Sequence, residues 1–291
     1  MSAGVQLEQI ADGKLLPPNL LVNPGFEIWQ RGAGPFTTTD GFSADEWALK
    51  GGTGQSVSRS ASPKSGVYGL SYTNTSGAAR SLNQGVEAYK SLEGLYVTFS
   101  VWVNCATASM ARAFITDYVA AQESVVSGYH TGGGAWERLT AVKLIRTGLA
   151  TYASHPHSFG VQVGIVVDGN VTGMLIDGAS LVLGNFPQGV PFLPLNPAED
   201  MQRCERFYEG GASWMFQGIS GVSLSQNRQT WQIDFKTLKS AAATVTGTPS
   251  GGNGTWDGII GGANQTHFRT GFTNIVGNDA GGTVTWTAEV T

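Results

Sequence analysis

Charge is what this 291-residue chain has least of. Lys, Arg, Asp and Glu make up 13% of it, about half the usual ~25%, and no block of like charge occurs. Seventeen Lys and Arg against twenty-one Asp and Glu give a formal net charge of −4, so the basic footprint of a nucleic-acid binder or of a protein seated on anionic lipid is missing. Cysteine is scarcer still. Cys105 and Cys204 stand far apart, which supplies neither a disulfide framework nor zinc-ligand spacing and predicts two free thiols. Long apolar runs are absent as well: Val161–Val167 is broken by Gln162 and Gly164 and falls short of the ~20 residues that span a bilayer. No membrane insertion is expected. Glu8 and Asp12 stand where a signal peptide needs a basic start and an unbroken apolar core, so the reading is of a protein made in a cytoplasm without a secretory leader.

Enzyme signatures are missing too. The sequence holds no G-x-S-x-G, Walker A loop, G-x-G-x-x-G, H-E-x-x-H, EF-hand loop or C-x-x-C, and the chain reads as a non-enzyme. Asp40, Asp45, Glu46, Asp117 and Asp234 remain as single candidates, because a catalytic carboxylate pair leaves no local motif. The plain reading of each is a solvated loop or strand-edge group. His155 and His157 flank Pro156; two imidazoles one residue apart on a strand share a side and a metal could join them, whereas the proline favours an exposed loop. His130 and His267 are isolated.

Glycine is abundant, 41 of 291 residues against a usual ~7%. Hydrophobic residues at 41% and aromatics at 10% supply the apolar surface that offsets ordering entropy. Apolar and polar residues alternate in Leu95–Asn104, placing Leu95, Val97, Phe99, Val101 and Val103 on one face and Tyr96, Thr98, Ser100, Trp102 and Asn104 on the other. Phe159–Ile165 repeats the pattern, Leu175–Leu183 reads as a closing strand, and shorter strands fit Val67–Thr73, Arg112–Val119 and Leu139–Ile145. Gly132–Gly134 and Asp168–Asn170 mark turns between them. Short strands without long helical patterns predict an all-β, antiparallel sandwich. Pro187, Pro191, Pro194 and Pro197 then form an extended connector. Asn196 caps a short helix from Pro197 to about Glu209, with Met201, Cys204 and Tyr208 on one face and Gly210-Gly211 as its stop. Beyond Ser213, strand patterns in Thr230–Phe235, Ala243–Thr246, Phe268–Phe272 and Thr283–Val290 predict a second, smaller β-sandwich domain. Residues 247–262 hold seven glycines and read as a long loop with Trp256 at its tip. No repeat of fixed period appears.

Flat aromatic faces stack on the apolar faces of sugars. Trp102 and Tyr96 on the polar face of one strand, with Gln162 on the polar face of another, are the candidate glycan-binding residues; the alternative is a Trp packed against a neighbouring sheet or subunit. Trp29, Trp47, Trp136, Trp231 and Trp286 read as core. Sequons at Asn74, Asn170, Asn253 and Asn264 mark exposed loops, unglycosylated in a protein without a secretory signal.

Asn19-Leu-Leu-Val-Asn-Pro-Gly-Phe-Glu27 resembles the opening of jelly-roll domains of the carbohydrate-binding-module type. Its extension Ile28-Trp-Gln-Arg-Gly32, followed by Asp45-Glu46-Trp47, looks like the version found in bacteriophage tail and fibre proteins. Ser65–Leu70, Phe99–Val103, Trp136–Leu139 and Ile176–Leu181 match in order, and Phe192–Tyr208 is similar to the connector that follows such domains in virion proteins. The resemblance implies a virion attachment peptide over residues 1–18, a jelly-roll over 19–184, a linker and short helix over 185–209 and a C-terminal β domain over 210–291. It implies a short fibre, spike or decoration protein of the virion, made in the host cytoplasm, that contacts host-surface polysaccharide. The alternatives are a glycan-degrading virion enzyme and a free carbohydrate-binding module. Homotrimers are common among such proteins, and a low-charge surface does not oppose association. Docking to other virion proteins falls to the N-terminal peptide, whose Val5, Leu7, Ile10, Leu15 and Leu16 are too few for a core. Domains of this kind also often hold a structural calcium ion, for which the matching ligands are Glu27 and Asp177.

Overall fold

The computed structural model describes residues 17–153, 157, 159–216, 229–236, 239, 244–250, 255–259, 266–273 and 281–289. The chain divides into two compact units, Met1–Asn196 and Pro197–Thr291. The first carries β1 (Ala48–Lys50), β2 (Gln55–Ser60), β3 (Gly69–Asn74), β4 (Ala79–Gly85), β5 (Tyr96–Asn104), β6 (Ala111–Tyr118), β7 (Gln122–Val126), β8 (Trp136–Leu144), β9 (Val161–Asp168) and β10 (Val171–Leu183). They form two five-stranded sheets, ordered β2-β3-β10-β5-β8 and β1-β4-β9-β6-β7, with every pairing antiparallel.

Alternation builds the core between them. Val97, Phe99, Val101 and Val103 of β5 meet Val161, Val163, Ile165 and Val167 of β9, all fully buried in one cluster. Three expectations fail around β5. Leu95 is exposed, because it lies in the turn before the strand, donating its N–H to Leu92 O. Thr98 and Ser100, placed on the polar face, are buried. The connector after β10 covers them: Thr98 Oγ1 donates to Gly184 O at 2.7 Å, Phe186 N donates to Thr98 Oγ1 at 3.0 Å, and Arg138 holds Gln188 O and Val190 O.

The N-L-x-x-N-P-G-F-E segment is structural throughout. Asn19 donates to Ala179 O and accepts from Leu181 N, tying the chain's entry to β10. Asn23, at φ 47°, accepts from Ile28 N and donates to Ile28 O, folding the turn that buries Phe26 against Trp47 at 4.7 Å. Trp29 and Trp47 are core as expected, whereas Trp136 opens the edge strand β8 and is only half-buried. The side chains of Trp231 and Trp286 lie outside the described residues, as do His155, Asn253 and Asn264.

Several polar candidates are structural as well. Asp117 is buried between Lys143 at 3.5 Å and Arg146 at 2.6 Å, and Asp40 pairs with Lys50. The Asp234 side chain lies outside the described residues. His157 is buried, not in an exposed loop, with Nε2 2.6 Å from Glu46 Oε2 and its ring stacked on Phe42 at 4.7 Å. His130 is buried and accepts from Gly132 N. Asn74 is no exposed sequon either: it is buried and donates to Ala78 O and Gly169 O at 2.8 Å, while Asn170 is exposed. Cys105 and Cys204 are buried thiols, neither of them in a disulfide.

Asp45 is buried beside Gln30, whose Nε2 donates to it at 2.7 Å, and Arg31 at 3.4 Å. Burial pushes its carboxyl up to about 6, against the smaller opposing pull of Arg31 and Gln30. Because the folded value lies above the unfolded one, the native state binds the extra proton between pH ~4 and ~6. The stability contributed by this group is therefore complete at acid pH and is lost as pH rises through 6. Asp45→Asn should flatten that part of the stability profile relative to wild type in urea titrations from pH 4 to 7; identical slopes would refute the assignment.

The second unit opens with α1 (Pro197–Glu205) and continues through β11 (Tyr208–Phe216), β12 (Gln229–Asp234), β13 (Thr244–Ser250), β14 (Thr255–Ile259), β15 (His267–Thr273) and β16 (Gly281–Glu289). Two antiparallel three-stranded sheets result, β11-β16-β13 and β12-β15-β14. The helix ends four residues earlier than expected, since Tyr208 already pairs with Glu289. Its buried side chains are Asp200 and Cys204, an i, i+4 pair, and Met201 is exposed. The glycine-rich 247–262 stretch is not one long loop: β13 runs to Ser250, and β14 pairs Trp256 with Phe272. Glycine lowers strand propensity, but the pairing of these segments with β16 and β15 outweighs it. Among the described residues no helix is long and apolar enough to cross a membrane.

Candidate functional site

Side chains on the outer face of the β1-β4-β9-β6-β7 sheet line a groove of about 380 Å³, inside the ~300–1,000 Å³ range of small-molecule sites. The ladder arranges its floor in cross-strand rows. Lys50 faces Ser81, Ser81 faces Val166 and Val166 faces Arg112. In the next row Asn83, Gly164, Phe114 and Val126 succeed one another, and in the third Gln162, Thr116 and Ser124. Tyr152 closes one side, its ring 5.3 Å from that of Tyr118.

Neutral hydrogen-bonding groups dominate. Asn83 Nδ2 donates to Gln162 Oε1 at 3.0 Å, and Thr116 and Ser124 share a hydroxyl contact of 2.6 Å. Asn83 Oδ1 is buried and accepts from no protein donor. At the groove's end Arg112 donates Nη2 to Asp168 at 2.7 Å and lies 4.5 Å over the Tyr129 ring. Tyr129 donates its hydroxyl to the same carboxylate, which pushes its pKa up.

The three glycan candidates do not converge. Gln162 lies in the groove floor. Trp102 and Tyr96 belong to the other sheet, so their outward face is the opposite side of the sandwich. Trp102 is no open platform: Lys64 Nζ sits 4.5 Å from its ring, the Arg138 guanidinium 5.8 Å away, and Gly178 packs at its edge. Tyr96 is exposed at the far end of β5, beside Leu144.

Glu27 and Asp177 grip one loop. Glu27 accepts from Val67 N at 2.7 Å and Tyr68 N at 3.1 Å, and Asp177 accepts from Ser65 N at 2.7 Å and Gly178 N at 2.6 Å. Burial raises the Asp177 pKa, and the N–H donors oppose the shift. In this arrangement the carboxylate oxygens face N–H dipoles, whose positive ends repel a cation, and among the described residues no group of three acidic, histidine or cysteine side chains forms. The residues as placed do not fit a calcium ion, which wants converging oxygens.

Sequence reasoning passed over Asn83, Arg112, Phe114 and Tyr152. The signal for Arg112 and Phe114 is their common parity in a predicted strand, whereas Asn83 lies in Ala79–Gly85, whose mostly polar residues hide a strand.

The strand order makes the first unit an antiparallel β-sandwich of the jelly-roll type. No protein-family model and no curated protein sequence matches the chain. Similar solved structures include the CBM22-1-GH10 modules of Clostridium thermocellum endo-1,4-beta-D-xylanase 10B complexed with xylohexaose, at 14% identity and TM-score 0.40, covering 58% of this chain and 30% of that one. The CBM22-1 xylan-binding domain of Paenibacillus barcinonensis Xyn10C is similar at 13% identity and TM-score 0.41, with coverages of 57% and 95%. The enzymatically active domain of bacteriophage CBA120 tailspike protein 4 is similar at 15% identity and TM-score 0.39, with coverages of 57% and 21%. The chain thus spans about a third of the first of these and a fifth of the last.

Proposed function

We propose that the protein is a non-enzymatic glycan-binding protein of a phage virion, displayed as a short fibre, spike or decoration protein, and that the groove is its glycan site. The observation that carries the glycan part is Asn83: a buried amide oxygen without a partner, in a groove floored by amides and hydroxyls, is satisfied by a sugar hydroxyl. Phe114 and Tyr152 supply apolar surface for the sugar ring. Binding is favoured over hydrolysis because no carboxylate lines the groove among the described residues, and glycoside cleavage ordinarily uses two. The virion part is supported by the order of sequence motifs from Asn19 to Tyr208, and with it go homotrimer formation, docking through residues 1–18 and assembly in the host cytoplasm.

Asn83→Ala should weaken binding to host-surface polysaccharide at least ~10-fold, about 1.4 kcal/mol, in calorimetric titration, while the far-UV spectrum stays unchanged. Undiminished affinity would sink the groove assignment. The display reading is checked on purified particles by mass spectrometry with and without residues 2–16: loss of the chain from the particle on truncation is expected, and incorporation at normal copy number would move the anchor elsewhere.

A further inference from the structure

The charged side chains that line the groove among the described residues are Lys50 and Arg112, both cationic. They stand in one cross-strand row, with Ser81 and Val166 between them. At ~4.8 Å per strand their backbones are about 14 Å apart. Each has a carboxylate partner, Asp40 for Lys50 and Asp168 for Arg112, and neither carboxylate lines the groove. Asp168 lies one row further out, opposite Ala79. The positive ends of both ion pairs therefore face the groove, in a chain whose net charge is −4.

Arg112 is also fixed in place. Asp168 takes Nη2, Tyr129 lies against its plane, and Nε has no acceptor. A guanidinium held in one plane, its side chain still 26% exposed, matches a planar or tetrahedral oxyanion better than a hydroxyl does. The other rows are neutral, so they suit the uncharged remainder of a sugar chain.

On the reading of the groove as a glycan site, we propose that its ligand is an anionic polysaccharide, whose carboxylate, sulfate or phosphate group sits on the Lys50–Arg112 row while uncharged hydroxyls meet Asn83, Gln162 and Thr116. The row of cations makes binding salt-dependent, because partly exposed charges are screened over a Debye length of ~8–10 Å. It also makes Arg112 the residue that separates charged from neutral ligands.

The test is an array of immobilised polysaccharides probed with the full chain. It includes neutral β-1,4-glucan, the same glucan oxidised to the glucuronate, and its sulfated and phosphorylated forms, each read at 50 and 300 mM NaCl. Binding to charged forms at least ~10-fold tighter than to the neutral one, weakening with salt, is the expected result, and the strongest of the three arms identifies the anion. Arg112→Gln and, separately, Lys50→Gln should each reduce the preference for charged forms and the salt dependence. Preference for neutral glycans, lost in Asn83→Ala, overturns the anionic assignment and keeps the groove. An anionic preference that survives both charge variants overturns the placement on this row. Binding to no glycan of either kind overturns the glycan reading itself.

Discussion

Asp177→Ala should lower the melting temperature of the first unit by roughly 6–12 °C, the equivalent of about 3 kcal/mol at ~2–4 °C per kcal/mol for a domain of this size. The carboxylate is buried and serves as acceptor for Ser65 N, Gly178 N and, at 3.4 Å, Ser65 Oγ. Alanine removes the acceptor from Gly178 N, whose hydrogen bond is buried, and frees the exposed Ser65 end of the loop. Glu27→Ala should shift the melting temperature less, since Glu27 is only partly buried and water can replace it at Val67, which is exposed. The same loop explains a glycine. A Cβ on Gly66, at φ +76°, would fall 1.8 Å from Glu27 Oε1, so the carboxylate grips the loop only because that side chain is missing. Chelation, or added millimolar calcium, should leave the melting temperature of the wild type unchanged. A calcium-dependent rise, reflecting a stabilisation of RT ln(1 + [L]/Kd), would mean that the 65–68 N–H groups turn away and a cation takes their place. A shift below ~3 °C in Asp177→Ala would show that the loop does not depend on this carboxylate.

Which parts of this architecture were legible follows from what a period of two reports. Alternation in Leu95–Asn104 and Phe159–Ile165 locates the inward face of β5 and β9, because one side of each strand meets the core. It does not report what covers the other side. Thr98 and Ser100 are therefore buried against expectation, beneath a connector whose closing contacts lie some ninety residues away in sequence. Nor does alternation say which sheet a strand joins. Trp102 and Gln162 both point outward, but from opposite layers, so a shared polar parity placed them together when the strand order sets them on opposite sides of the sandwich. The short strands β1, β2 and β7 escaped because edge strands such as Gln55–Ser60 and Gln122–Val126 are polar. The groove is a product of register: Asn83, Gly164 and Phe114 come from three strands and meet only through pairings that no local pattern encodes. Glu27 and Asp177 were singled out through a family resemblance, and both do hold the Ser65–Tyr68 loop, but as acceptors for its N–H groups.

Gly164→Ala should produce the largest loss of stability of any substitution in the groove, about 4 kcal/mol or more, a fall in melting temperature of at least ~8 °C. The glycine is not needed for its dihedral freedom; it lies in regular strand between Asn83 and Phe114. What it lacks is the atom. A Cβ there would meet Leu82 O at 2.1 Å and Asn83 Cα at 2.8 Å, both backbone, so β4 and β9 have to part at the centre of the sheet. Opening that pair also displaces Asn83 and Gln162, whose side chains bond across it, so polysaccharide binding should be lost together with stability. Gly133→Ala separates the steric from the conformational explanation. Gly133 has φ +77° and nothing within 4 Å of its Cβ position, so alanine there carries only the left-handed backbone penalty of ~1–2 kcal/mol and leaves binding intact. If Gly164→Ala melts no lower than Gly133→Ala, then β4 and β9 are not in the close register that builds the groove floor, and the row of Asn83, Gly164 and Phe114 cannot be its centre.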